Sequence, residues 1–377
     1  MRLIKRRWLK EERSQERLNR GGLILKYLIL AINPGSTSTK IALYENDNEL
    51  FKENIEHPQQ ELEKYSRIID QIPMRRELIL DALKKKGYAV KDLSIVMGRG
   101  GLFPPIRTGG YRVNKAMLDM ILNEEIPSHA SNLGAVLAHE IAEEAGVNAY
   151  IYDAVSAGEL SEVAEMTGFP QVKRRSFCHV LNSRAVAMRY AESIGKKYED
   201  LNLMVAHLGG GITFSVHEHG KIIDSLSDDN GAFSPERAGS VPLLQLIDLC
   251  YSGEYTKPEM IKKVRGSGGL RALVGTSDVR IIEQRAAEGD REAQIALQAQ
   301  VLQIAKGIGL LSPWLGRRCE AIILTGGLAY SKYLTEEVGK MVDFIAPVVI
   351  LPGEHEMEAL ALGGLRIVQG KETTREM

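Results

Sequence analysis

Cysteine is scarce and scattered: Cys178, Cys250 and Cys319 are the only three in 377 residues, and no two share a CxxC spacing. A disulfide framework and a cysteine zinc cluster are thereby excluded, and this usage suits a reducing, cytoplasmic compartment. Net charge is nearly absent, at −1, so no global field draws the chain to nucleic acid or anionic lipid. Long apolar runs are missing too. The longest, Leu23 to Ile32, is interrupted by Lys26 and falls far short of the ~20 residues a membrane helix needs. Two familiar phosphate signatures are also lacking. There is no GxxxxGK(S/T) loop, and Arg99-Gly100-Gly101 does not fit a GxGxxG dinucleotide turn.

What is present describes a soluble globular protein, with 44% apolar and 26% charged residues. The length is too great for one ordinary core and fits two domains. Residues 1–20 carry eight Lys/Arg and three Glu. Without an apolar h-region they are not a secretory signal, and residues 1–22 read as a basic, disordered extension outside the fold. From Leu23 onward, strand-like runs (27–33, 38–45, 93–98, 149–153, 201–207, 212–217, 221–226, 320–324, 347–350) alternate with helical ones. The helical candidates are 75–87, 115–124, 132–146, 157–167, 180–195, 240–251, 277–288, 291–314, 330–341 and 356–369. This order predicts α/β layers. In 291–314 the spacing of Ile295, Ala299, Leu302, Ala305, Ile308 and Leu311 predicts a buried face, although a long apolar helix also suits a subunit interface.

Glycine is abundant, at 36 residues, and its placement carries the information. The segment Ile29-Leu30-Ala31-Ile32-Asn33-Pro34-Gly35-Ser36-Thr37-Ser38-Thr39 repeats in outline at Leu203-Met204-Val205-Ala206-His207-Leu208-Gly209-Gly210-Gly211-Ile212-Thr213. Asn33 aligns with His207, Gly35 with Gly209 and Thr39 with Thr213. Each unit is a buried strand, a polar residue, a glycine turn and a second strand, so one β-hairpin opens each half of the chain. A turn of Gly, Ser and Thr clusters backbone N–H groups and hydroxyls into a nest for phosphate oxygens. Two such hairpins facing across a cleft would grip a polyphosphate from both sides. A third buried strand, Ala321 to Leu324, runs into Thr325-Gly326-Gly327, where a flat ring could approach backbone unobstructed by a Cβ.

On these residues the chain resembles the short-chain carboxylate kinases of the acetokinase family, within the acetate and sugar kinase/heat-shock/actin superfamily. Asn33-Pro34-Gly35-Ser36-Thr37-Ser38-Thr39-Lys40 and His207-Leu208-Gly209-Gly210-Gly211 look like its two phosphate motifs, and Thr325-Gly326-Gly327 like its adenosine motif. Ser128-His129-Ala130-Ser131-Asn132, Ser234-Pro235-Glu236-Arg237-Ala238-Gly239 and Gly275-Thr276-Ser277-Asp278-Val279-Arg280 extend the match, which is nearest to the butyrate-kinase branch. The resemblance implies two ribonuclease H-like domains around an active-site cleft. The first would comprise residues 23–155 plus 357–377, the last helix returning to it, and the second residues 156–356. It also implies ATP/ADP and Mg²⁺ as cofactors, a short-chain carboxylate and its acyl phosphate as substrates, and a homo-oligomer that binds neither nucleic acid nor membrane.

A carboxylate substrate is already ionised at neutral pH, with a pKa of roughly 4–5. It can attack the γ-phosphate with no general base, and the obstacle is repulsion between anion and polyanion. Arginine, histidine and a metal answer that need. The resemblance assigns Arg99 and Arg237 to clamp carboxylate and phosphoryl group, with His129 and His179 beside them. His207, Gly209, Gly210 and Gly211 would hold the γ-phosphate together with Asn33, Ser36, Ser38 and Lys40. Asp278, Arg280, Gly326 and Gly327 would take the adenosine. Asp153 would support Mg²⁺ and orient Arg99, and Glu356 would be the second Mg²⁺-associated carboxylate, both partly through water. Gly101, Ser128 and Cys178 stand where bulkier residues wall the methyl pocket of acetate kinases, which implies room for butyrate. Acetate, propionate or a branched acid is the alternative. Two departures stand out: Cys178 replaces an aromatic before the histidine, and His355-Glu356-Met357 replaces Asn-Glu-Glu.

Overall fold

A computed structural model describes residues 25–377; the expected basic extension, 1–22, lies outside the described residues. Two mixed sheets organise the chain. The first contains β1 (Leu28–Pro34), β2 (Ser38–Glu45), β3 (Asn48–Glu56), β4 (Ile95–Arg99), β5 (Gly110–Arg112) and β6 (Ala149–Tyr152), in the order β3-β2-β1-β4-β6-β5. The second contains β7 (Asn202–Leu208), β8 (Ile212–Glu218), β9 (Lys221–Leu226), β10 (Ala321–Gly326) and β11 (Val348–Pro352), in the order β11-β10-β7-β8-β9. In each, a three-strand antiparallel meander continues through parallel strands, β1-β4-β6 in one and β7-β10-β11 in the other. The sheets are therefore two copies of one ribonuclease H-like plan, with β5 added at one edge.

The central strands are apolar on both faces because helices cover both. Ile29, Leu30, Ala31 and Ile32 of β1 are fully buried. Helix Leu133–Ala145 sets Leu133, Val136, Leu137 and Ile141 into the cluster holding Leu30 and Ile32. Helix Glu356–Val368 sets Met357, Leu360 and Ala361 against Ile29, Ala31, Ile95 and Met97 on the opposite face. The end of the chain thus returns to the first sheet. Around the second sheet, helix Arg291–Leu311 packs Val301, Ile304 and Ile308 on Met204, Ala206 and Phe214. Helix Val180–Ser193 packs Val186, Ala187 and Ala191 on Leu203, Val205 and Ile323. At about 1.5–3 kcal/mol for each large apolar side chain buried, these four interfaces dominate the stability.

Several elements depart from the sequence expectations. The expected helix 157–167 shrinks to one turn, Glu162–Glu165, because Val163 and Met166 find nothing to pack on and stay largely exposed. In Arg291–Leu311 the buried face runs through Ala293, Leu297, Val301, Ile304 and Ile308; Ile295 and Leu302, expected inside, are exposed. The stretch Arg291–Trp314 is the one described segment long and apolar enough to cross a bilayer, and its buried face belongs to the second core.

Candidate functional site

The two glycine hairpins fold as the repeat requires, with one difference. Pro34 pairs with Thr39 around four turn residues, whereas Leu208 pairs with Ile212 around three, so the second turn is tighter. In the first, the Gly35 N–H donates to the Ser38 carbonyl at 2.7 Å. Beneath it lies Arg75, fully buried, on helix Ile72–Lys85. Its guanidinium donates to the carbonyls of Gly35 (2.9 Å), Ser38 (3.1 Å) and Ser36 (3.3 Å) and to Thr39 Oγ1 (3.0 Å). One cation thus collects the turn's carbonyls on its inner side and leaves Ser36 exposed on the outer side. The sequence reading missed Arg75; nothing in its local context marks it.

Asn33, at the end of β1, donates through Nδ2 to Glu356 Oε2 at 2.6 Å. Arg99, at the end of β4, donates through Nη1 to the same oxygen and to Asn33 Oδ1, each at 3.3 Å. Glu356 is buried at the start of the last helix. Lys40 pairs with Glu354 at 3.0 Å, which ties the first hairpin to the turn before that helix.

Across from this cluster the Arg237 guanidinium lies over the second turn. A Cβ placed on Gly211 would sit 2.5 Å from Arg237 Nη1, so this glycine makes room for the arginine. Arg237 is ion-paired with Asp228, a fully buried carboxylate that also accepts from Arg265 at 2.8 Å. Asp228 was not singled out from the sequence, although Asp-Asp-Asn at 228–230 is a polar turn next to a strand. Burial, with Arg265 nearby, draws Arg237 down to about 10.

The histidines converge here. His179 and His207 stack with ring centroids 3.8 Å apart and planes 10° from parallel. Burial pushes His207 down to about 4 and His179 well below its usual value, with Arg99 and Arg237 adding to the effect on both. His129 is also lowered to about 4 by desolvation and by the charges of Arg99, Arg237 and Arg265. All three rings are therefore neutral at pH 7. His129 caps its own segment, accepting from the Ser131 N–H at 3.2 Å. Gly326 takes φ +89° against the Leu208 carbonyl, and no atom lies within 4 Å of a Cβ built on Gly327, which leaves open space above the third glycine turn. Asp278 caps helix Val279–Ala287 and binds the exposed Arg280 side chain at 2.6 and 2.9 Å.

Four sequence assignments need correction. Asp153 does not orient Arg99: its Oδ1 is ion-paired with Arg184 and accepts from the Gly109 N–H at 2.7 Å. Arg184, on helix Val180–Ser193, is the partner the sequence reading lacked, and Glu356 orients Arg99 instead. Gly101 opens no pocket, because a Cβ there would land on Asn132 Oδ1. Cys178 is packed in the first core, where burial pushes its thiol up to about 12. Ser128 is exposed. The side chains bordering the adjacent cavity are instead Leu102, Pro127 and Phe177, each one residue away from the expected position. Among the described residues no three His, Cys, Asp or Glu side chains gather into a metal cage. A cation carried on substrate phosphates and held through water needs only one or two carboxylates. Both carboxylates are ion-paired with an arginine, Glu356 with Arg99 and Asp153 with Arg184; Glu356 is the one beside Asn33 at the first glycine hairpin, and so the better placed of the two.

Comparison with known proteins yields concordant matches. The acetokinase family model matches residues 169–346. Butyrate kinase 2 of Clostridium acetobutylicum is 46% identical over 354 residues, covering 93% of this chain and 99% of that one. Among solved structures, Porphyromonas gingivalis acetate kinase superposes with a TM-score of 0.75 at 18% identity, covering 91% of this chain and 100% of the other. A propionate kinase from Francisella tularensis gives 0.67 at 16% identity, covering 89% and 98%. At such identities these two speak for the fold alone.

Proposed function

The chain belongs to the acetokinase family, and from that premise we propose that it transfers the γ-phosphate of ATP to a short-chain carboxylate, butyrate above all, reversibly giving butyryl phosphate and ADP. The substrate's identity is supported by the 46% identity to a butyrate kinase. The observation that carries the mechanism is the state of the site's carboxylates: Glu356 and Asp228 are each engaged by arginine. Burial makes His179 and His207 weak bases, and a carboxylate acceptor needs no base. In the transfer, a butyrate oxygen forms the new P–O bond as the bond from the γ-phosphorus to the β–γ bridging oxygen breaks. The electron pair leaves with ADP, and no proton moves.

In this reading Arg99 and Arg237 hold the attacking carboxylate and the transferring phosphoryl group, where planar guanidinium donors suit both. His129 and His179 flank them. The nucleotide phosphates run between Asn33, Ser36, Ser38 and Lys40 on one side and His207, Gly209, Gly210 and Gly211 on the other. The adenosine lies toward Gly326, Gly327, Asp278 and Arg280. Mg²⁺, held through water by Glu356, would supply charge neutralisation to the phosphates. We assign the two sheets to separate domains, residues 23–155 plus 357–377 and 156–356. A homo-oligomer is supported by helix Leu243–Tyr251, which leaves Leu243, Leu244, Ile247 and Tyr251 uncovered.

We assign the acyl chain to the end of the 2520 Å³ cavity lined by Leu102, Pro127 and Phe177, where Phe177 lies 4.7 Å beneath the Arg265 guanidinium. Trapping acyl phosphates with hydroxylamine across acetate, propionate, butyrate and valerate tests this assignment. Two extra methylenes at about 0.8 kcal/mol each give butyrate roughly a tenfold advantage over acetate in kcat/KM. Leu102→Phe should erode that advantage, while Gly101→Val, colliding with Asn132, should depress all acids alike. An unchanged acid profile in Leu102→Phe removes that residue from the pocket, and a profile peaking at acetate replaces butyrate with the shorter acid.

A further inference from the structure

Asn182 lies in the first turn of helix Val180–Ser193 and is fully buried. Its carboxamide sits at the meeting point of three segments: His207 at the end of β7, Thr325 at the end of β10, and His355 in the turn before the last helix. The His355 backbone N–H donates to Asn182 Oδ1 at 2.9 Å. Only an oxygen can accept that bond, so a main-chain donor fixes which way the carboxamide faces. The Nδ2 group is thereby turned toward the other two partners. It donates to Thr325 Oγ1 at 3.3 Å, whose own hydroxyl is directed to the Gly353 carbonyl at 3.2 Å. Its remaining hydrogen meets His207 Nδ1 at 2.9 Å.

An amide donor on Nδ1 requires a lone pair there. A neutral imidazole then carries its proton on Nε2. That atom faces the second glycine turn: a Cβ built on Gly209 would lie 2.8 Å from His207 Nε2. In the stacked neighbour, the His179 backbone N–H donates to Thr213 Oγ1 at 3.3 Å, and the same hydroxyl lies 2.9 Å from His179 Nδ1.

We propose that Asn182 is a positioning residue: it holds His207 as the Nε2–H tautomer and so aims a neutral N–H donor at phosphate oxygens seated on the second glycine turn. The proposal rests on the kinase reading for the ligand, but its geometric half concerns the protein alone. Burial of the pair favours uncharged rings, so their phosphate contacts are made by oriented N–H dipoles while Arg99 and Arg237 carry the charge. Asn182 also joins His207 to the 353–356 turn, so the histidine's tautomer and the placement of Glu356 are set by one side chain.

Asn182→Asp tests this directly, because it keeps the shape and the acceptor for the His355 N–H. An aspartate facing Nδ1 draws the imidazole proton to that nitrogen and leaves an Nε2 lone pair facing phosphate. Selective nitrogen-15 histidine spectra of the free wild-type protein should show His207 protonated on Nε2, and the variant should show it on Nδ1. Loss of a preorganised donor in comparable sites costs roughly 10²–10³, so kcat/KM for ATP should fall about 100-fold. In a His207→Ala background the same change should cost less than about threefold, because no tautomer remains to be reversed. A wild-type ring protonated on Nδ1 overturns the proposal without any variant. So does an equal, additive loss in both backgrounds, which would mark Asn182 as merely structural. Wild-type protein that makes no acyl phosphate yet shows the Nε2–H signature would instead remove the kinase reading and leave the tautomer assignment standing.

Discussion

Arg99→Ala is expected to lower kcat by roughly 10²–10³-fold, the loss typical of a group that meets charge developing in the transition state. The geometry makes this more than a removed cation. Arg99 is held at the end of a central strand by Asn33 and Glu356, and Gly134 lets helix Leu133–Ala145 pass so close that a Cβ there would lie 3.0 Å from the Arg99 nitrogen. Its position is thus imposed by strand, helix and carboxylate together. Arg99→Lys restores the charge beside Glu356 and should recover most of the melting temperature. It should not recover kcat, because an ammonium cannot offer two parallel donors to a carboxylate or phosphoryl group. Lysine restoring turnover would reduce the role of Arg99 to charge alone. A drop in melting temperature with unaltered kcat would make it structural.

The second large effect is on stability. Asp153 and Arg184 form an ion pair in which both side chains are at least nine-tenths buried. Removing one partner of such a pair leaves an uncompensated charge in the interior, at a cost of about 3–5 kcal/mol. Asp153 also adopts a left-handed conformation, φ +45°, which asparagine tolerates well. Asp153→Asn therefore isolates the charge effect and should lower the melting temperature by about 10 °C. Adding Arg184→Met should recover much of that loss, as buried pairs replaced by apolar groups often do. Activity of the folded variant, and its dependence on Mg²⁺, should stay near wild type. A collapse in kcat with an unchanged melting curve would return Asp153 to the metal site.

These two residues also show where a sequence speaks and where it falls silent. Arg99 was legible because it ends an apolar run and precedes glycines, a local pattern that places a side chain at a strand end. The duplicated hairpins were legible for a similar reason: a buried strand, a polar residue and a Gly-Ser-Thr turn form a contiguous signature. Asp153 was placed correctly at the end of its strand, yet its partner was misread. Arg184 lies 31 residues further on, on a helix whose apolar periodicity says nothing about what one buried arginine meets. Arg75, Asp228 and Asn182 were invisible for the same reason, since each acts across elements. The pocket residues missed by one position, because sequence alignment fixes a backbone place but not which of two neighbouring side chains turns outward. The strand Asn48–Glu56 is missing from the strand-like runs read in the sequence. Edge strands are often charged, and this one alternates Glu, Lys and Asn with apolar residues, leaving a weak strand signal. Helix Lys257–Val264 carries a capping box, Thr256 with Glu259, and could have been found from that alone.

The central claim is that the carboxylate itself attacks phosphorus, with no base and no water in between. Butyrate carrying heavy oxygen at both carboxylate positions, incubated with ATP and Mg²⁺ and trapped with hydroxylamine, tests it most directly. Hydroxylamine cleaves the acyl carbon from its bridging oxygen, so the released inorganic phosphate should carry a single heavy oxygen, and the hydroxamate should keep the other. Phosphate free of the label, appearing at the rate of ADP formation, would mean that water takes the phosphoryl group, and would contradict the account.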